Sequence, residues 1–244
     1  MPPILIIHGT CSQPAHFNAW AAYFRAAGYD CRVPPLPGRM PVDEAVLAGA
    51  TFDDFVAAMR KALAGFAEPP VVIGYSMGAL IAQRLAGEAP VAALVLLAPA
   101  TPFLLPPRLR LIPSVFRHLR PVLTGRPFRI TDDEARQLVL HHLAVAEQEE
   151  LIRDIVPESG KAFRRTALAL VRIPPQSITC PVLCVAGSED RVVSESAVRR
   201  LARRYGAEFL RVPGCGHFLS AGSLLEEVAA PVRAWIDALS AAPR

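Results

Sequence analysis

The 244-residue sequence has no apolar stretch near the roughly 20 residues that a bilayer-spanning helix needs; its longest candidates are runs such as 91–98, which read as buried strands. Its opening, MPPILIIHGT, carries neither a basic leader nor a small-residue cleavage site, so no signal peptide is expected and the expected location is cytoplasmic. Five cysteines, at 11, 31, 180, 184 and 215, make an odd number without CxxC spacing. That pattern argues against a disulfide framework or a zinc site and fits reduced, mostly buried thiols. His141 and His142 are adjacent and lack the i, i+4 spacing of a helical metal pair, and both GxGxxG and GxxxxGK[ST] are missing. No metal and no cofactor are therefore expected. Twenty-six basic against 22 acidic residues leave a net charge of +4, too slight an excess to point to nucleic acid. Internal repeats and low-complexity tracts are absent as well.

What is present is apolar residue in quantity, 52% against 20% charged, enough for one packed domain with one active site. Near-continuous aliphatic runs at 4–7, 71–75, 91–98 and 182–186 have the pattern of strands buried on both faces, and 29–33 and 208–212 read as two further strands. Between them, 15–27, 52–66, 78–86, 195–205 and 224–239 carry apolar residues at helical spacing. The alternation predicts an α/β fold with a doubly wound, mostly parallel sheet, whose ligands bind at the carboxyl ends of the strands. It is interrupted over 101–176, where helical stretches near 132–145 and 147–155 and the length of the segment predict an inserted helical cap. The expected division is a core of 1–100 and 177–244 with a cap of 101–176.

The strand at 71–75 runs directly into Gly74-Tyr75-Ser76-Met77-Gly78 and then into helix-compatible sequence. This is the strand, sharp turn and helix that a GxSxG nucleophile elbow requires, with glycine where a Cβ would collide. A serine hydroxyl is a poor nucleophile until an imidazole takes its proton, and a carboxylate must fix the tautomer of that imidazole. Candidates follow in the chain: Gly187-Ser188-Glu189-Asp190 just past a strand, where either carboxylate is available, and Gly216-His217 in the loop after the last strand. The oxyanion of a tetrahedral intermediate needs backbone donors. Met77, after the nucleophile, is one, and Thr10, in the His8-Gly9-Thr10 loop that follows the first strand, is the other. His8 is expected to be a structural hydrogen-bonding residue.

With these residues in place the chain resembles a small member of the α/β-hydrolase superfamily, in its esterase, lipase and thioesterase part, over almost the whole length. The resemblance implies the α/β-hydrolase fold, shortened at its N-terminus because the chain begins at what would be the third strand of the family. It also implies a triad of Ser76 as nucleophile, His217 as base and Asp190, favoured over Glu189 by the family's spacing, as the orienting acid. The activity implied is two-step hydrolysis of the carboxylic ester of an apolar or aromatic small molecule through an acyl-enzyme. A thioesterase, a lactonase and a carbon–carbon bond hydrolase share these residues, and a non-catalytic ligand-binding module on the same scaffold is the reading from another class.

Six arginines, at 108, 110, 117, 120, 126 and 129, and no acidic residue fall within 106–130. Such a basic amphipathic stretch reads either as an element for weak contact with a membrane surface or an anionic ligand, or as a solvated face balanced by Asp132, Asp133 and Glu134. Phe103, Leu104, Leu105, Leu109 and Phe116 are expected to roof a pocket over Ser76 for a small acyl substrate. A monomer or a homodimer is expected.

Overall fold

The computed structural model describes residues 1–105 and 108–241. Pro106 and Pro107, at the head of the arginine-rich stretch, lie outside the described residues. Six strands, β1 (Ile4–Ile7), β2 (Cys31–Arg32), β3 (Val71–Tyr75), β4 (Ala93–Leu97), β5 (Val182–Gly187) and β6 (Glu208–Val212), form one sheet in the order β2-β1-β3-β4-β5-β6. Every pairing is parallel. Each residue of β1, β3, β4 and β5 is buried, which is why these segments read as unbroken aliphatic runs rather than as alternating ones.

Alternate side chains of each strand enter two separate cores. Ile4 and Ile6 pack with Phe17, Trp20, Phe24 and Ile236 on one face, and Leu5 and Ile7 pack with Phe55, Leu80 and Leu201 on the other. The helices that cover these faces are α1 (Asn18–Ala26), α2 (Glu44–Gly49), α3 (Phe52–Leu63) and α4 (Met77–Ala86) before β4, with α9 (Glu195–Tyr205) and α10 (Ala230–Ala241) after β5. Between β4 and β5 lie α5 (Ile112–Thr124), α6 (Asp132–Glu134), α7 (Val145–Arg153) and α8 (Gly160–Ala167). The doubly wound sheet read from the sequence is therefore the observed architecture. Among the described residues no helix is long and apolar enough to cross a membrane.

Several boundaries differ from the periodic pattern for local reasons. The second strand shrinks from 29–33 to Cys31–Arg32, since Pro34 and Pro35 follow at once and cannot donate to a ladder. β4 stops at Leu97 because Ala98 turns to a left-handed φ of 42°. The stretch 132–145 is helical only as α6 and one π-helical turn, Ala135–Val139, and 224–239 starts as 3-10 and π turns before α10. The short helices α2 and α8 escape periodicity because each is two turns or so long, yet each has a side-chain cap, Asp43 and Ser159, accepting the N–H groups of its first turn.

After β1 the chain lays β2 on one side and then crosses to lay β3 on the other. The carboxyl ends of β1 and β3 thus diverge around a crevice at the point where the winding reverses.

Candidate active site

Ser76 stands between β3 and α4 with φ 52° and ψ −117°. Such a conformation costs a non-glycine residue on the order of 1–3 kcal/mol and persists only when its surroundings hold it. Here the Ser76 N–H donates to the Leu97 carbonyl at 3.0 Å, and the Ser76 carbonyl accepts from the Ala79 and Ala100 N–H groups, each at 3.0 Å. The flanking glycines make the turn sterically possible: a Cβ at Gly74 would lie 2.5 Å from the Ala79 Cα, and one at Gly78 would lie 2.2 Å from the Ile7 carbonyl oxygen. Both obstacles are backbone and cannot swing aside. Gly78→Ala is expected to cost about 3 kcal/mol or more of stability, read as a fall in melting temperature. An unchanged melting temperature would mean that α4 does not press on β1 as closely as these distances require.

The loops after β5 and β6 meet this serine. His217 Nε2 lies 3.1 Å from Ser76 Oγ, and His217 Nδ1 lies 2.8 Å from Asp190 Oδ2. Asp190 is 4% and His217 3% exposed, whereas Glu189, the other carboxylate of that loop, is exposed. The second Asp190 oxygen accepts the Val192 and Val193 N–H groups at 2.7 and 2.9 Å. These two donors fix the plane of the Asp190 side chain, with the other oxygen turned to His217. Arg108 donates to the Asp190 carbonyl at 2.7 Å, so this member of the arginine-rich stretch is tied to the loop. Tyr75, beneath the elbow, packs against His217 and Phe218 with ring centroids 5.3 and 5.5 Å apart.

His141 and His142, which lack the spacing of a helical metal pair, lie behind the His217 loop. A Cβ at Gly216 would meet His142 Nδ1 at 2.5 Å, and His142 Nε2 donates to the Phe218 carbonyl at 3.2 Å. Burial pulls the His142 pKa down to about 4, so its ring is neutral near neutral pH. Only the fold brings these rings together, and no sequence spacing announces it.

Thr10 and Met77 lie beside Ser76 on the wall of one cavity. As the first residue of α4, Met77 has no intrahelical acceptor for its N–H, and the Thr10 N–H meets no acceptor among the described residues. His8 is wholly buried and accepts the Leu36 N–H at Nε2, 3.1 Å away, so its proton sits on Nδ1. Burial first, and Arg39 second, push its pKa well below the ordinary histidine value. It serves as a neutral strut between β1 and the loop after β2.

The cavity encloses about 600 Å³ and runs from Ser76 and His217 to Phe163 and Leu168 between the sheet edge and α5. Phe103, Leu105 and Phe116 line it, but Leu104 and Leu109 are 65% and 84% exposed and stand outside the wall. Phe103 is held inward beneath the Arg200 guanidinium, 3.8 Å from its ring centroid, while Leu104 turns out. Leu109 sits on the outer corner of a single 3-10 turn and Leu111 takes the inner place. The wall is largely apolar; away from Ser76 and His217 its polar groups are those of Ser12 and His16, of Thr101, Arg108, Ser114 and Thr166, and of His118 and Glu134, the last two joined at 2.9 Å. Of the arginines, Arg117 and Arg129 face Glu134 and Asp132 at 3.5 and 3.1 Å. Among the described residues no group of three or more His, Cys, Asp or Glu side chains is placed to hold a metal ion.

Comparison with known proteins bears on this geometry. The model of the Alpha/beta hydrolase family matches residues 4–233. Similar solved structures include a methylesterase, MES16, from Arabidopsis (12% identity, TM-score 0.75, covering 97% of this chain and 99% of that one). A pyrethroid hydrolase, PytH, is 20% identical with a TM-score of 0.75 over 98% of this chain and 99% of its own. A thioesterase domain from the curacin biosynthetic pathway is 20% identical with a TM-score of 0.66 over 96% and 90%. Among curated proteins none matches the chain.

Proposed function

As the chain belongs to the Alpha/beta hydrolase family, we propose that it is a serine hydrolase that cleaves the carboxylic ester of an apolar or aromatic small molecule, with residues 101–176 as a cap over the site. The observation that carries this reading is the unbroken relay from Ser76 Oγ to His217 at 3.1 Å and on to Asp190 at 2.8 Å, opening into a largely apolar cavity.

In the first step Ser76 Oγ attacks the ester carbonyl as His217 Nε2 takes its proton, and the carbonyl π electrons move to the oxygen. The Thr10 and Met77 N–H groups bind that oxyanion. The intermediate collapses, the C–O bond to the leaving alcohol breaks, and the imidazolium returns its proton to the alcohol. Water, deprotonated in turn by His217, then attacks the acyl-serine carbonyl; the bond from the acyl carbon to Ser76 Oγ breaks, His217 returns the proton to Oγ, and the acid is released. Asp190 keeps the His217 proton on Nδ1 before the reaction and balances the imidazolium during it.

The test is hydrolysis of p-nitrophenyl esters from acetate to palmitate. Turnover is expected with an optimum above acetate, because a cavity of about 600 Å³ leaves an acetyl group mostly unsurrounded. Each buried methylene adds roughly 0.8 kcal/mol until the wall is reached. An enzyme inert on every ester but active on thioesters or lactones would change the acyl class. A protein inert on all of them that still bound the free acids would be a binding module.

A further inference from the structure

Among the described residues one arginine–carboxylate pair is fully sequestered. Arg39, on the loop after β2, and Glu158, on the segment that leads into α8, are both 0% exposed and lie 2.6 Å apart. Removing two charges from water is costly, and a buried pair is weak evidence of stability, since apolar replacements are often equal or better. Its use is more readily found in what else the two groups hold. Arg39 donates through its other terminal nitrogen to the Ser12 carbonyl at 3.0 Å. Glu158 Oε2 accepts the Cys11 N–H at 3.4 Å, and Glu158 Oε1 accepts the Ser159 N–H at 2.7 Å. The Cys11 carbonyl in turn accepts the Val156 N–H at 3.1 Å. The backbone of Glu158 is itself fixed by paired hydrogen bonds with Phe128, at 2.7 and 3.0 Å.

The hydrogen bonds of these two side chains beyond their own stretches of chain and each other therefore converge on Cys11 and Ser12. Cys11 has a φ of 54°, a left-handed conformation that L side chains rarely adopt, and the turn is closed on itself only by a long Ser12 N–H to Gly9 carbonyl bond of 3.4 Å. A strained turn with so little internal support takes its shape from its neighbours. The residue just before it is Thr10, which lines the reaction cavity and whose N–H meets no acceptor among the described residues.

We propose that Arg39 and Glu158 are positioning residues for the oxyanion-binding turn: clamped to the Cys11 and Ser12 backbone, they set the direction of the Thr10 N–H without touching substrate. This rests on the reading of the site as a serine hydrolase. The pair also spans from the loop after β2 to the segment before α8, so the turn is locked to both the sheet and the cap. A misdirected donor weakens binding of the tetrahedral oxyanion and leaves ground-state binding of the ester nearly intact. The signature is thus a fall in kcat at constant KM.

The discriminating variant is the double replacement R39M/E158L, which removes both charges and leaves neither unpaired, with Glu158→Gln as a second variant that keeps the side-chain shape. Melting temperature, kcat and KM on the best p-nitrophenyl ester, and affinity for a matching trifluoromethyl ketone, whose adduct with Ser76 carries an oxyanion, are compared with wild type. Expected are a folded double variant, a kcat lower by about 10- to 100-fold with KM within about twofold, and ketone affinity falling in step with kcat. Unchanged kcat and ketone affinity would overturn the proposal and make the pair purely structural, as would failure of both variants to fold. A fall in kcat without loss of ketone affinity would overturn it too. If wild type itself neither turned over an ester nor bound the ketone, the hydrolase reading would have failed first, a result visible before any variant is made.

Discussion

Replacing Ser76 by alanine is expected to lower kcat on the best ester substrate by about 10⁶-fold, to the level left by oxyanion binding and proximity alone. The size of the effect follows from the chemistry: without Oγ there is no acyl-enzyme, His217 has no proton to accept, and water must attack a carbonyl positioned for another nucleophile. The same variant is expected to keep or slightly raise its melting temperature. Alanine leaves the left-handed φ of 52° as it was and removes only the 3.1 Å contact between Oγ and His217. A serine-directed phosphonate should add to wild type once per chain and not at all to the variant. Substantial turnover by Ser76→Ala would place the nucleophile elsewhere and end the proposed mechanism.

Asp190→Asn is expected to lower kcat by roughly 10⁴-fold with the fold unchanged. The hydrogen bonds around this residue give the reason. One Asp190 oxygen accepts two backbone N–H groups, from Val192 at 2.7 Å and Val193 at 2.9 Å, and only an oxygen can do so. In the asparagine the amide oxygen keeps that place and the NH₂ group is turned toward His217 Nδ1. An NH₂ facing Nδ1 forces that nitrogen to accept, so the ring proton moves to Nε2, the atom that must take the proton of Ser76. The variant should therefore show slow phosphonate labelling and a KM near that of wild type. Labelling and turnover close to wild type would shift the acid role to Glu189, which is exposed and whose own N–H is bound to the Cys215 carbonyl at 2.8 Å.

Much of this was legible beforehand because it is local. The elbow is five consecutive residues, the strands leading to Gly9, Ser76 and Asp190 are continuous apolar runs, and loops that follow parallel strands all emerge at one sheet edge. Hence Ser76, His217, Thr10 and Met77 are the residues the sequence singles out, with Asp190 favoured over Glu189 by the family resemblance, and the structure places all five close together. The roof was harder to read. Phe103 and Phe116 line the cavity and Leu109 does not, although all three are equally apolar, because the direction of a side chain in an irregular segment follows from contacts such as that of Phe103 with Arg200. His142 beside the His217 loop and the pair of Arg39 with Glu158 left no trace in spacing, since their partners lie 76 and 119 positions away.

The sequence by itself determined the parallel sheet and the edge of the sheet at which Ser76, Asp190 and His217 emerge, for these depend on periodicity and on short-range turn sterics. Tertiary structure alone decided which carboxylate faces the histidine, which residues of 101–176 face the cavity, and what holds the turn after β1. Those are contacts between segments far apart in the chain, and they are selected by packing and by the cost of leaving buried charge unpaired rather than by any local rule.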